Sequence, residues 1–164
     1  MKKTLLSKRL KLVPVNNSDE AYLYDLLRNP NVKKYLLDND DVELKTIRKF
    51  IAESNALFQK SNFGLWIVQN LKTSNAIGLC GLFYFELLEL LYVIHPEYQN
   101  NGFATEASLR VISYINSLET QYDVYASIDI PNRLSHRVAQ NIGMIEVKEE
   151  INKNTNGLMK VYKL

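Results

Sequence analysis

One stretch limits the folds open to this chain more than any other: Tyr92-Val-Ile-His-Pro-Glu-Tyr-Gln-Asn-Asn-Gly-Phe-Ala-Thr-Glu-Ala107. The apolar run Leu90 to Ile94 reads as a strand. Pro96 ends it, because proline has no N–H for a sheet ladder. A helix is predicted from near Gly102–Ala104 to about Leu118. Between them lies a polar loop, Gln99 to Ala104, with one glycine. A loop of this kind turns several backbone N–H groups toward one point at a helix N-terminus. Orphan donors and the positive end of the helix dipole can hold phosphate there. Gly102 offers no Cβ where a phosphate would approach, and Ala104 keeps the next turn small. An ordinary β–loop–α connection has the same outline, so the remaining chain has to discriminate.

With 164 residues, one domain spanning 1–164 can bury a real core. The net charge of +2 is too small to point to nucleic acid or a membrane surface. The only cysteine, Cys80, excludes an internal disulfide and fits a reducing, cytoplasmic setting. It lies in the apolar run Ile77–Phe85 and reads as a small core residue. Two histidines and one cysteine give no basis for a His/Cys metal site. No apolar run reaches bilayer-spanning length. Lys8, Arg9 and Lys11 interrupt what begins like a signal peptide.

Along the chain, Leu10, Leu12 and Val15 predict a first strand. Asn17 with Glu20 has capping-box spacing and opens a helix that stops at Asn29-Pro30. A short helix over Val32–Leu37 follows. Asp40 with Glu43 repeats the spacing before a long helix from Asp41 to about Gln59, with Leu44, Ile47, Ile51 and Phe58 near one face. Strands are predicted over Phe63–Asn70 and Ala76–Phe85, with a very short turn before the organising strand. Tyr122–Ile130 alternates, with Val124, Ala126, Ile128 and Ile130 on one side. Asn132 caps a helix to about Ile142, and Gly143 is a C′ residue. Met144–Ile151 and Leu158–Lys163 form a last hairpin around Asn156-Gly157. The class is α+β, with one β–α–β crossover around 90–130.

Gln-x-x-Gly-x-Ala at 99–104, directly after an apolar strand and His95-Pro-Glu-Tyr98, resembles the acyl-CoA pyrophosphate loop of the GNAT acetyltransferase superfamily. Thr105-Glu106-Ala107, and the opening from Arg9-Leu-Lys-Leu through Asn29-Pro-Asn-Val, resemble the branch of ribosomal-protein N-terminal acetyltransferases. Asp129-Ile-Pro-Asn132-Arg-Leu-Ser135 through Gly143-Met144 resembles the family's second helix motif. The order of elements is similar over essentially the full chain. The resemblance implies a GNAT acyl-CoA N-acyltransferase fold: a mostly antiparallel twisted sheet, splayed at its two middle strands and flanked by helices.

It further implies that backbone groups of Tyr92, Val93 and Ile94 meet pantetheine and the acetyl carbonyl, with an oxyanion donor at Tyr92–Val93. Gln99, Asn100, Asn101, Gly102, Phe103, Ala104 and Thr105 would hold the pyrophosphate, Asn132 the pantetheine arm, and the first two helices would wall the acceptor site. Direct attack by the amine needs a base for its proton, a donor for the carbonyl oxygen and stabilisation of the leaving thiolate. Many family members place a tyrosine seven residues after the asparagine; here that position is Ala139, so Ser135 is the candidate for the thiolate. Glu89 is the first candidate base and Glu86 the second; both also read as exposed hairpin charges. Asn101 occupies a loop position that is often Lys or Arg, and Arg133 or Arg137 is expected to compensate.

An α-amine, with a pKa of about 7.7–8.0, needs little help near neutral pH, whereas deprotonating a lysine costs roughly 4 kcal/mol. A protein N-terminal α-amine is therefore the first acceptor expected, with acetyl-CoA as donor and no metal. The alternatives are a small amine (polyamine, amino acid or aminoglycoside) and a non-catalytic acyl-CoA sensor. The acidic group Asp38, Asp40, Asp41 and Glu43 is flanked by Lys33, Lys34 and Lys45 and does not choose among them. Exposed strand edges would permit a homodimer.

Overall fold

The computed structural model describes residues 3–38 and 40–164. Its elements in chain order are β1 (Leu5–Leu6), β2 (Leu10–Pro14), α1 (Glu20–Arg28), α2 (Pro30–Leu36), α3 (Leu44–Ser61), β3 (Leu65–Asn70), β4 (Ala76–Tyr84), β5 (Leu88–Ile94), α4 (Phe103–Ile115), β6 (Tyr125–Asp129), α5 (Arg133–Asn141), β7 (Ile145–Ile151) and β8 (Leu158–Lys163). Among the described residues the strands form one eight-stranded sheet in the order β1-β2-β3-β4-β5-β6-β8-β7. Every pairing is antiparallel except β5 with β6.

The pleat sends alternate residues of the central strands to opposite faces. Leu91 and Val93 of β5 join Leu23, Leu26, Ile47 and Ile51 in the core under α1 and α3. Leu88, Leu90 and Ile94 join Ala107, Val111 and Ala139 in the core under α4 and α5. Burial of these two apolar layers is what fixes strand register, since a one-residue slip would exchange the faces. Trp66 is fully buried, and Phe58 packs edge-on against it at a centroid distance of 4.8 Å.

β5 pairs with β4 along its whole length, from Gly78 opposite Ile94 to Tyr84 opposite Leu88. Their turn is as short as expected: the Phe85 N–H donates to the Leu87 carbonyl at 3.0 Å. β5 and β6 behave otherwise. They share a single registered pair, Glu89 opposite Tyr125, and then diverge.

Several local expectations need correction. The first capping box is Asn16 with Asp19, one residue before the expected Asn17 and Glu20. Both pairs have the same spacing, and a 3-10 turn over Asn17–Asp19 delays the α-helix to Glu20. No second box forms: α3 starts at Leu44, and Glu43 makes no side-chain cap. Asp41 instead meets Lys33 at 2.9 Å, and Leu44 is 42% exposed. α4 ends at Ile115 rather than Leu118. β6 is shorter than Tyr122–Ile130, and Ile130 turns out to solvent beyond its end. β1 was not foreseen.

Candidate active site

Beyond the Glu89–Tyr125 pair, β5 and β6 form the arms of a fork. A cavity of about 530 Å3 occupies it, lined by Leu90 to Ile94 on one arm and Ala126 to Asp129 on the other. Of the residues expected at the site, Tyr92, Val93, Ile94, Gln99, Asn100, Gly102, Phe103, Ala104, Thr105, Asn132 and Ser135 all line this cavity. Glu89 and Asn101 do not.

The loop that leaves β5 is built to free its amides. Asn100 and Gly102 have φ of 60° and 77°, the left-handed region that asparagine tolerates and glycine adopts freely. The backbone is what asks for glycine at 102, since an added Cβ would approach only Arg9, at 3.6 Å. The Asn101 side chain folds back onto the Tyr98 and Gln99 carbonyls, at 3.2 and 2.9 Å. The Gln99 amide donates to the Ile94 carbonyl at 2.9 Å, so it braces the end of β5 and occupies that acceptor. The backbone N–H groups from Asn100 to Thr105 find no acceptor among the described residues. The last of them belong to the first turn of α4, whose dipole adds positive potential. That arrangement suits a diphosphate.

Across the fork, Asn132 caps α5 by accepting from the Ser135 N–H at 3.3 Å. The Tyr92 hydroxyl donates to the Ser135 carbonyl at 2.9 Å, a strut from β5 to α5. Burial pushes the Tyr92 phenol well above its usual range, with the neighbouring Cys80 and Tyr162 adding to the rise. Ala139 is fully buried and does not reach the cavity, so no side chain comes from the position where a tyrosine is common in the family.

Glu89 is held at the crotch of the fork. Its carboxylate accepts from the Ser127 hydroxyl at 2.9 Å and from the Ser127 N–H at 3.3 Å, an amide that the splaying of the strands leaves free. Burial raises its carboxyl above the ordinary value; the Ser127 bonds oppose this in part, and the charges of Glu150 and Glu86 add to it. Ser127, unlike Glu89, lines the cavity. Glu86 is exposed and pairs with Lys153 at 2.7 Å. Arg137 lines the cavity whereas Arg133 does not. The helical wall comes from α2, through Asn31, Lys34 and Tyr35, and not from α1. Sequence reading missed Ser127 and these α2 residues, because nothing in their spelling marks a wall. Among the described residues no group of His, Cys, Asp and Glu could hold a metal. No helix among them is long and apolar enough to cross a membrane.

A strand fork opening on a helix start with free amides gives the sheet a place for a ligand that carries a diphosphate. The model of the acetyltransferase (GNAT) domain matches residues 9–145, and the chain belongs to this family of acetyl-CoA-dependent acetyltransferases. The uncharacterized protein YkkB of Bacillus subtilis (strain 168) is 29% identical over 150 residues, covering 87% of this chain and 86% of YkkB. Two solved structures have the same fold. RimL, a ribosomal-protein alpha-N-acetyltransferase in complex with coenzyme A, superposes with a TM-score of 0.83 at 14% identity, over 99% of this chain and 97% of RimL. Spermidine N-acetyltransferase from Vibrio cholerae, in complex with CoA and spermine, gives 0.78 at 18% identity, over 96% of each chain.

Proposed function

We propose that this chain is an N-acetyltransferase whose acceptor is a protein N-terminal α-amine, acting as a single cytoplasmic domain over 1–164. The observation that carries this reading is the charge of the cavity wall. Asp129 is the one carboxylate among the described lining residues, and Lys34 and Arg137 line the same cavity. A polycation would meet net positive charge there. A peptide with a single α-amine brings one cation and neutral backbone. RimL acts on a ribosomal-protein α-amine and the Vibrio cholerae neighbour on spermidine; at their identities both speak for the fold alone.

The geometry supports the following roles. Acetyl-CoA would lie with its diphosphate on the Asn100 to Thr105 amides and its pantetheine along Tyr92 to Ile94, beside Asn132. A backbone N–H at Tyr92–Val93 would meet the carbonyl oxygen as it becomes an oxyanion. The amine attacks the thioester carbon directly. Glu89 is the base and works through Ser127: the amine proton passes to Ser127 Oγ as the hydroxyl proton passes to the carboxylate 2.9 Å away. The C–S bond breaks, and the Ser135 hydroxyl hydrogen-bonds the departing thiolate.

The test is thiol release from acetyl-CoA against peptides with free N-termini, polyamines, amino acids and aminoglycosides. N-terminal peptides are expected to give the highest kcat/KM and polyamines little above background. A polyamine that outpaces every peptide would overturn the acceptor assignment.

A further inference from the structure

We infer that Arg9, on the segment between β1 and β2, is a positioning residue that shapes the diphosphate loop, in which Asn101 brings no charge. Four contacts of its own place it there, and a bond from Ser7 steadies the carboxylate it meets. Its Nε donates to Glu106 Oε2 at 2.7 Å, and its own backbone N–H donates to Glu106 Oε1, also at 2.7 Å. The Ser7 hydroxyl donates to the same Oε1 at 2.8 Å. Arg9 Nη1 donates to the Asn101 carbonyl at 3.0 Å. The guanidinium lies 4.5 Å over the Phe103 ring centroid. Phe103 opens α4 and Glu106 lies in its first turn, so one side chain grips the loop, the ring and the helix start together.

The consequence for ligand binding comes from peptide geometry. In a trans peptide the C=O and the next N–H point in opposite directions. Holding the Asn101 carbonyl against Arg9 therefore turns the Gly102 N–H away from Arg9. Gly102 lines the cavity, and this amide is one of the free donors there. Glu106 partly neutralises Arg9. Burial raises the Glu106 carboxyl, but the bonds from Arg9 and Ser7 outweigh that, and it stays below its ordinary range. What Arg9 contributes is thus mostly the shape of the loop.

The experiment compares two donors on the full-length protein: acetyl-CoA, and S-acetylpantetheine, which lacks the nucleotide diphosphate. Arg9→Ala is expected to weaken coenzyme A binding about tenfold, the loss of a charge-assisted hydrogen bond, while kcat/KM with S-acetylpantetheine is unchanged. Arg9→Lys is expected to behave like Arg9→Ala, because a lysine keeps the charge but cannot span Glu106, Asn101 and Phe103 at once. Unchanged coenzyme A binding in Arg9→Ala overturns the inference. Equal loss with both donors overturns it too, since a general structural defect would do that. Full recovery in Arg9→Lys would reduce Arg9 to a charge and also overturn it. If Arg9→Ala does not fold, Glu106→Gln carries the test: weaker coenzyme A binding with unchanged S-acetylpantetheine turnover supports the clamp, and wild-type binding refutes it.

Discussion

Glu89 is the residue at which stability and chemistry pull hardest against each other. Burial raises its carboxyl above the ordinary 4.5, and the two bonds from Ser127 offset this only in part. A carboxyl whose folded pKa is raised favours the folded state most when protonated. Its contribution is fully present below the unfolded pKa and is lost as pH rises through the folded value. At neutral pH the ionised Glu89 is therefore a cost to the fold. Glu89→Gln keeps an acceptor for the Ser127 hydroxyl and removes the charge. Its urea midpoint is expected to exceed wild type at pH 7.5 and to converge with it near pH 4. Acetyl transfer should fall about 100-fold or more, the usual worth of a positioned base. The acid limb separates the causes: below the Glu89 pKa, wild-type log kcat/KM should fall with a slope of 2, for the amine and Glu89 together, and the variant with a slope of 1. A variant less stable than wild type at pH 7.5 would mean that the buried carboxylate is a net structural asset.

At the scale of elements, the fork is what makes a sheet into a binding site. Two parallel strands that stop pairing after one residue pair leave backbone donors and acceptors unsatisfied, which is costly unless a ligand or side chain meets them. Glu89 meets one such amide, and the Tyr92 hydroxyl bridges to the Ser135 carbonyl. Tyr92→Phe removes that bridge without changing the packing of the ring. It is expected to cost about 1 kcal/mol in urea unfolding and to leave kcat within a few-fold. A kcat loss near 100-fold would instead give the Tyr92 phenol a part in the chemistry, where Ala139 leaves the family's tyrosine position empty. Strand β5, the loop and α4 were legible because their signals are local: an apolar run, Pro96, one glycine and a helical period. Asn132 and Gly143 were legible as caps for the same reason. The start of α3 was not, since Asp40 and Glu43 have capping spacing but Asp41 is drawn to Lys33 in the folded chain. Ser127 was invisible as a site residue because its importance comes from facing Glu89 on another strand. Arg9 was read as part of a family motif, but the contact that gives it meaning crosses more than ninety residues.

At the scale of the molecule, residues far apart in the chain close the cavity. β8 inserts between β6 and β7, an order that strand patterns alone do not reveal, and this brings the β7–β8 turn beside the end of β6. There Asn152 Nδ2 donates to Asp38 Oδ1 at 2.9 Å and to Asp129 Oδ1 at 3.3 Å. Asn154 Nδ2 donates to Asp38 Oδ2 at 2.7 Å. One asparagine thus ties the segment after α2 to the cavity carboxylate on β6. α2 lines the cavity as well, so these bonds join the segment that follows it to the β6 side of the cavity. The loop from Gln99 to Ala104 lies elsewhere in the fold and makes none of them. Asn152→Ala should therefore separate the two substrates. The acceptor KM is expected to rise about three- to tenfold, as for a lost bond to a charged group, while the dissociation constant for coenzyme A stays at the wild-type value. Initial-rate kinetics with the best acceptor from the panel, together with coenzyme A titration, measure both quantities. If both constants shift together, the tie organises the whole sheet; if only coenzyme A binding weakens, the α2 side is not where the acceptor enters.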